Sequence, residues 1–244
     1  MKAMEQYYEI LLGQMRAIRE REWGKIAEAG EWLGDALVND KFLYAFGTGH
    51  SHLLAEEIFY RAGGLARACP ILDERLMLHK EAIEATYLER EEGYAAKLLD
   101  LYPVERGDVL IVASNSGRNA VPVEMAIEGR ARGMKVIAIT NLAHAKLWGS
   151  RHRSGKTLGE IADICLDNCG IAGDACVPVD GIDQLLGSPS TATGAMIVNL
   201  IIVQGIESAL KRGGTPEVFI SSNSNGDDHN DRLLQKYKSR VRHL

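Results

Sequence analysis

Two short loops in this chain combine glycine with serine and lead directly into helical patterns. The first, "GTGHS", covers residues 47–51, and the second, "SNSGRN", covers residues 114–119. A helix that begins at such a loop offers free backbone N–H groups and the positive end of its dipole. Serine hydroxyls add neutral donors, and glycine lets the backbone come close to a ligand. This chemistry suits an anion, and phosphate above all.

Two nucleotide-binding motifs are partly present in the sequence, but neither is complete. A dinucleotide fingerprint needs a third glycine, and the corresponding position of the first loop holds His52. A Walker loop ends in G-K-[ST], which "SGKT" at residues 154–157 provides, but the first glycine it requires is replaced by Ser150. No apolar strand precedes that segment either. A small phosphorylated metabolite remains as the candidate ligand.

The elements that must position these loops are apolar runs separated by helical patterns. We predict strands at 41–46, 66–72, 107–114, 134–140, near 164 and at 174–179. We predict helices at 3–37 (broken into pieces), 50–64, 74–101, 119–132, near 158–163, 188–212 and from about 231. This alternation indicates an α/β domain whose parallel sheet is covered on both faces. Ligands of such sheets lie beyond the carboxyl ends of the strands, where both loops fall.

The loops resemble those of the sugar isomerase (SIS) domain family, which binds phosphosugars. A third stretch is similar as well, with Thr140, Leu158, Ala162 and Asp163 in the positions of the family pattern. The resemblance covers roughly residues 35–212. The tail "SSNSNGDDHNDRLLQKYKSR" resembles a subgroup of uncharacterised proteins described as phosphoheptose-isomerase-like.

The resemblance implies one domain over residues 1–244, a three-layer sandwich around a five-stranded parallel sheet of the flavodoxin- or Rossmann-like type. A helical extension occupies residues 1–38, the α/β core residues 39–212, and a C-terminal tail and helix residues 213–244. It also implies a sugar-phosphate site in which the second loop holds the phosphate. Asn119 stands where the family usually has Thr or Ser. The implied substrate-binding residues are Gly47, Gly49, Ser51, Ser114, Asn115, Ser116, Gly117 and Asn119.

Aldose–ketose isomerisation needs a base that moves a proton between neighbouring carbons through an enediol. The resemblance suggests a glutamate and a histidine, and the candidates are Glu57, Glu56, His50 and His79. A structural alternative exists for each: Glu57 is spaced to pair with Arg61 one helical turn away, and His79 fits the surface of a helix. We expect no cofactor. We also expect no metal: His50, His52 and Glu56 could be considered as ligands, but two histidines so spaced on one helix would point their rings apart.

Isomerisation of a sugar phosphate is the leading functional prediction. One alternative is a phosphosugar sensor without catalysis. Another is a lyase or etherase that acts on an amino-sugar phosphate, sharing the proton abstraction and differing in the leaving group. A base positioned beside the sugar carbons would distinguish an enzyme from a sensor, and the sequence does not show which residue that is.

Composition restricts the partners. The net charge is −5, which argues against a nucleic-acid binder. The four cysteines lack the paired spacing of a structural zinc site. The longest apolar run, "AMIVNLIIVQGI", is interrupted by polar residues and short for a bilayer. We therefore expect a cytoplasmic protein with no membrane partner. The apolar surface of the N-terminal helices and of the helix at 190–210 predicts a homodimer or homotetramer.

Overall fold

The main sheet contains five parallel strands in the order β2–β1–β3–β4–β5, which confirms the predicted fold class. The computed structural model describes residues 2–223 and 226–244, so Ser224 and Asn225 of the tail motif lie outside the described residues. The strands are β1 Leu43–Gly47, β2 Ala68–Ile71, β3 Val109–Ala113, β4 Lys135–Thr140 and β5 Ile164–Asp167.

Helices cover both faces of this sheet. They are α1 Ala3–Arg21, α2 Trp23–Val38, α3 Leu53–Glu57, α4 Leu78–Leu88, α5 Tyr94–Leu99, α6 Ala120–Ala131, α7 Leu142–Trp148, α8 Leu158–Ile161, α9 Ser190–Lys211 and α10 Asp227–Tyr237. Successive strand residues point to opposite faces. Leu43 and Ala45 therefore join the core under α2 and α9, while Tyr44 and Phe46 join the core under α5, α6 and α10.

Helix α9 packs along α2, and small residues bring the two backbones together. A Cβ added at Gly34 would lie 2.5 Å from the Ser208 side chain. By length and composition alone, α9 is the one helix among residues 2–223 and 226–244 that could cross a membrane, and it is longer than the apolar run predicted from the sequence. Half of its most apolar window is nevertheless buried inside the protein, so core packing accounts for much of its apolar character.

Several predicted elements differ in detail. The N-terminal helical pattern breaks at Glu22 rather than at a glycine, and the helix after the first loop is only a 3₁₀ turn, Gly49–His52, followed by the short α3. The predicted strand at 174–179 lies outside the main sheet, in an antiparallel hairpin of β6 Val177–Val179 and β7 Ile182–Leu186. The sequence analysis missed β7 and α7. Each is short, and short segments carry little periodicity.

The strand order sets where a ligand can bind. The chain leaves β1 toward β2 on one side, and β3 lies on the other side of β1. The connections above β1 and β3 therefore diverge and leave a crevice at the carboxyl ends of these two strands. Residues 47–51 and 114–119 are the segments that follow these two strands.

Candidate functional site

A cavity of about 500 Å³ lies between the loop after β1 and the loop after β3. It brings together seven of the residues predicted from the sequence: Gly49, His50, Ser51, Ser114, Asn115, Ser116 and Asn119. Its remaining lining residues are Thr48, Leu54, Glu89, Ala113, Ile139, Asn168, Asp174, Ser188, Ser190 and Thr191. A cavity of this size is in the range of small-molecule sites.

The loop after β3 is a tight turn held by its own side chains. The Ser114 hydroxyl accepts a hydrogen bond from the Gly117 N–H at 3.1 Å. Gly117 has a φ of +61°, and a Cβ there would lie 2.5 Å from Thr140 Oγ1. Among the described residues, neither the N–H of Asn115 nor that of Ser116 donates a hydrogen bond within the chain. These two N–H groups are therefore available to a ligand.

Helix α6 begins directly after this loop without a side-chain cap. Its N-cap residue is Asn119, a type that usually caps a helix with its own side chain. Here the Asn119 amide is used elsewhere: Nδ2 donates to Glu89 Oε1 at 2.5 Å, and Oδ1 accepts from Arg151 Nη1 at 2.9 Å. Backbone groups cap this 12-residue helix instead: the Val121 N–H donates to the Glu89 carbonyl at 3.0 Å, and Pro122 has no N–H. Because the N-cap residue Asn119 lines the cavity, the positive end of the helix dipole still lies beside it.

Glu89 brings a carboxylate to the same cavity. It follows the last residue of α4, and its Oε2 accepts a hydrogen bond from Thr48 Oγ1 at 2.8 Å. Burial raises the pKa of Glu89, and the Thr48 hydrogen bond and the nearby Arg90 and Arg151 partly oppose that rise. A carboxyl group with a raised pKa in a cavity is a candidate for proton transfer.

The loop after β1 supports this carboxylate rather than opening a long helix. Its Thr48 is buried and donates to Glu89. His52 is buried as well, and its Nδ1 contacts the Gly49 carbonyl. His50 is exposed at the edge of the cavity. The five-residue α3 that follows is too short to present an anion-binding end.

A polar wall faces the two loops. Ser190, the first residue of α9, donates its hydroxyl to Asp174 Oδ2 at 2.6 Å, and its N–H donates to Asp174 Oδ1 at 3.2 Å. Asn168 lies just beyond β5 and donates to Asn115 Oδ1 at 2.7 Å. These groups ring the cavity with hydroxyl, amide and carboxylate oxygens, which can bind sugar hydroxyls.

The cavity lining contains no Lys or Arg among the described residues. Arg118 lies beside the loop after β3, but its guanidinium donates to the carbonyls of Trp148 and Gly149 at the end of α7. Arg151 is held by Asn119. Backbone N–H groups, hydroxyls and a helix end would therefore be the direct donors to an anion in the cavity.

Five predicted site residues lie outside the cavity lining. Gly47 and Gly117 shape the two turns from behind. Glu56 faces His52 Nε2 at 3.6 Å, and Glu57 contacts Arg61 in the predicted helical pair and accepts from Asn199 Nδ2 at 2.7 Å. His79 is exposed on α4. The cavity of a single chain does not bring Glu56, Glu57 or His79 to the loops, and their predicted roles stay predictions.

Sequence reasoning missed Glu89, Asn168, Asp174 and Ser190. Asn168 had a usable signal, because it is the polar residue that directly follows strand β5 at the carboxyl edge of the sheet. Glu89 had none, since it ends a charged helix and meets Thr48 across 41 residues of sequence. The segment "SGKT" has a structural role here, with Thr157 and Glu160 forming a capping box for α8.

Comparison with known proteins identifies the family. Residues 6–141, more than half of the chain, match the SIS domain family, and the chain belongs to that family. A UPF0309 protein of Caldanaerobacter subterraneus is 40% identical over 245 residues, which cover 99% of this chain and 100% of that protein. A UPF0309 protein of Listeria innocua is 42% identical over 236 residues, 96% of each chain.

Among solved structures, a phosphoheptose isomerase from Francisella tularensis is similar in fold. Its TM-score is 0.53 at 19% sequence identity, and the match covers 84% of this chain and 96% of that one. At this identity the likeness establishes the shared architecture. The predicted resemblance to the SIS domain family is confirmed.

Proposed function

We propose that this protein binds a phosphorylated sugar in the cavity between the loops after β1 and β3 and interconverts its aldose and ketose forms. One observation carries the proposal: Asn115 and Ser116, whose N–H groups are available just before α6, and Glu89, whose carboxyl has a raised pKa, line the same cavity. Membership in the SIS domain family supports the choice of ligand.

In this proposal the phosphate lies against the loop after β3. The N–H groups of Asn115 and Ser116 and the hydroxyl of Ser116 donate to its oxygens, and the dipole of α6 favours its charge. The sequence-based prediction gave Asn119 a direct phosphate contact. Its Nδ2 already donates to Glu89, so we assign Asn119 to holding Glu89 and leave the phosphate to its neighbours.

The sugar then extends from the phosphate toward Glu89 and the polar wall. Glu89 removes the proton from the carbon beside the carbonyl, the C–H electrons form the C=C bond of the enediol, and the carbonyl oxygen takes up a proton. Glu89, whose proton can exchange with solvent, then gives a proton to the former carbonyl carbon while the hydroxyl on the neighbouring carbon loses its proton and becomes the new carbonyl. A carboxylate whose pKa is raised by burial suits this exchange. His50 at the cavity edge is placed to assist at the sugar oxygens, and Asp174 and Ser190 to bind hydroxyls.

The experiment is thermal unfolding against a panel of sugar phosphates, with heptose phosphates first because of the enzyme similar in fold. Free sugars and inorganic phosphate are the controls. A ligand at a hundred times its dissociation constant stabilises by about 2.7 kcal/mol, which raises the midpoint by about 5 °C. Each ligand that binds is then incubated in deuterated water, and solvent deuterium in the recovered sugar reports proton abstraction.

Ser116→Ala and Ser51→Ala are compared with each other, because both serines line the cavity. Ser116→Ala removes a hydrogen bond to a charged group and should weaken binding tenfold or more, at about 1.5–3 kcal/mol. Ser51→Ala removes a neutral hydrogen bond to the sugar and should weaken binding about threefold. Binding without deuterium exchange would favour the sensor, and exchange with loss of a β substituent would favour the lyase. Absence of any sugar-phosphate binding would refute the proposal.

A further inference from the structure

We propose that Glu92, Glu124 and His152 form a binding site for a divalent transition metal, with Zn²⁺ the best match to the donors. One ligand atom from each of these three side chains lies within 4.8 Å of the other two. Imidazole nitrogen and carboxylate oxygen are regular zinc ligands. None of the three residues lines the sugar cavity, so this Glu92–Glu124–His152 cluster is a separate site.

Burial and spacing distinguish this cluster from ordinary surface charges. The side chain of His152 is 5% exposed and that of Glu124 is 10% exposed, and His152 Nε2 lies 3.6 Å from Glu124 Oε1. That distance is too long for a hydrogen bond. It fits a shared metal, since two ligands about 2.1 Å from a tetrahedral zinc lie about 3.4 Å apart. The third side chain, Glu92, is 32% exposed and closes the cluster from the solvent side.

The surroundings orient the ligand atoms. His152 Nδ1 lies 2.8 Å from Ser154 Oγ, which leaves Nε2 directed at the carboxylate. The Ser154 N–H also donates to Nδ1, at 3.3 Å. Metal binding through Nε2 therefore requires Nδ1 to carry the proton and donate it to Ser154 Oγ, as the second ring nitrogen of a metal-bound histidine commonly does. The Gly93 N–H donates to both oxygens of Glu124 at 2.9 and 2.7 Å, and the Arg153 N–H donates to Glu92 Oε1 at 2.7 Å. Each carboxylate oxygen keeps lone pairs for a metal.

The three ligands come from segments that are far apart in sequence. Glu92 lies between α4 and α5, Glu124 lies on α6, and His152 lies in the loop between α7 and α8. A bound dication would tie these segments together and offset the negative charge of the buried Glu124 carboxylate. The charge of Glu92 is already paired with Arg153, whose Nε lies 3.1 Å from Glu92 Oε2. The loop also carries Arg151, which holds Asn119 and, through it, Glu89. The metal would thus stabilise the support behind the cavity without entering it.

The test is metal binding by the full chain, independent of any sugar. Protein stripped with chelator is titrated with Zn²⁺ and, separately, with Co²⁺, and metal content is measured after dialysis. Glu124→Gln and His152→Gln remove ligands. Glu128→Gln is the matched control, because Glu128 lies one turn further along α6 and pairs with Arg132 at 3.7 Å.

We expect one Zn²⁺ per chain, a midpoint about 5 °C higher at a hundredfold excess over the dissociation constant, and reversal by chelator. Glu128→Gln should bind like the wild type, and each ligand variant should bind at least tenfold more weakly. Wild-type protein with Co²⁺ should show the visible absorption of a tetrahedral site, which keeps the test decisive if a ligand variant fails to fold. No saturable binding, no tetrahedral Co²⁺ spectrum, or equal binding by His152→Gln and Glu128→Gln would overturn the proposal.

Discussion

The loops after β1 and β3 look alike in sequence and are built differently. Both follow a buried parallel strand, contain glycine and serine, and precede a helix. After β3, the chain enters the 12-residue α6, whose N-terminus has no side-chain cap. After β1, it turns through a 3₁₀ segment into the five-residue α3, and Thr48 is bonded to Glu89.

This difference divides the proposed work between the two loops. The long helix and the free N–H groups give the loop after β3 the capacity to hold an anion. The loop after β1 lacks a long helix dipole and instead fixes a carboxylate. A pattern of glycine and serine before a helix is therefore informative about a ligand only when the length of the helix and the partners of the hydroxyls are known.

We expect the largest effect from substitution of Glu89, the carboxylate that is hydrogen-bonded to the loop after β1. Glu89→Gln keeps the shape of the side chain and removes the base, so turnover of the sugar phosphate should fall about 10²–10⁴-fold. Binding of the sugar phosphate should change little, since the phosphate contacts remain. Steady-state kinetics and calorimetric binding measure the two quantities. Glu91→Gln, an exposed neighbour, is the control. Full turnover by Glu89→Gln would return the role of base to Glu56, Glu57, His50 or His79.

In the loop after β3, we expect the most disruptive substitution to be at Gly117. Gly117→Ala places a Cβ 2.5 Å from Thr140 Oγ1 at a φ of +61°, so we expect the free energy of unfolding to fall by about 2–3 kcal/mol. The variant should also lose sugar-phosphate binding. Gly155→Ala is the matched control, because Gly155 has a φ of +69° and no atom within 4 Å of its added Cβ. It should cost about 1 kcal/mol. Urea unfolding measures both, and equal losses would contradict the steric argument.

Thr48→Val should change the pH dependence of turnover, because Thr48 in the loop after β1 donates a hydrogen bond to Glu89. Its hydroxyl donates to Glu89 and lowers the pKa of that carboxyl, and a hydrogen bond to a charged group contributes about 1.5–3 kcal/mol. Removing it should raise the pKa of Glu89 further and move the acidic limb of kcat/KM to higher pH. Thr86→Val is the control, since Thr86 is exposed on α4 and its hydroxyl donates to the Ala82 carbonyl in the same helix. An unchanged limb in Thr48→Val would show that Glu89 is not the titrating base.

The smallest effect concerns stability without ligand. Burial raises the pKa of Glu89 above its ordinary value of 4.5 in the folded protein. The folded protein therefore binds the Glu89 proton more tightly than the unfolded chain does. The resulting stabilisation is fully present below the pKa that Glu89 has in the unfolded chain, and it is lost as the pH rises through the pKa that Glu89 has in the folded protein. Wild-type protein should therefore lose stability relative to Glu89→Gln over that window, measured by urea unfolding at several pH values. A difference that stays constant with pH would argue against a buried, titrating Glu89.

Much of the fold and seven of the seventeen residues that line the cavity could be predicted from the sequence. Strands such as 107–114 are continuous apolar runs because both faces of a parallel sheet are buried. Once β1 and β3 are predicted as parallel strands, their following loops must meet at one edge of the sheet. Seven predicted residues line the cavity for that reason. Of the β6–β7 hairpin, the strand at β6 was predicted and β7 was missed, and a short apolar run does not reveal which strand it will pair with.

What the sequence by itself determined was the set of local decisions: where strands end, where glycine permits a turn, and where a helix begins. These depend on neighbours along the chain. Only the tertiary structure decided that Asn119 turns its amide to Glu89, that Asp174 meets Ser190, and that His152 faces Glu124. Each of these pairs joins residues 16 to 30 positions apart. Such contacts depend on how the helices pack against the sheet rather than on any local pattern.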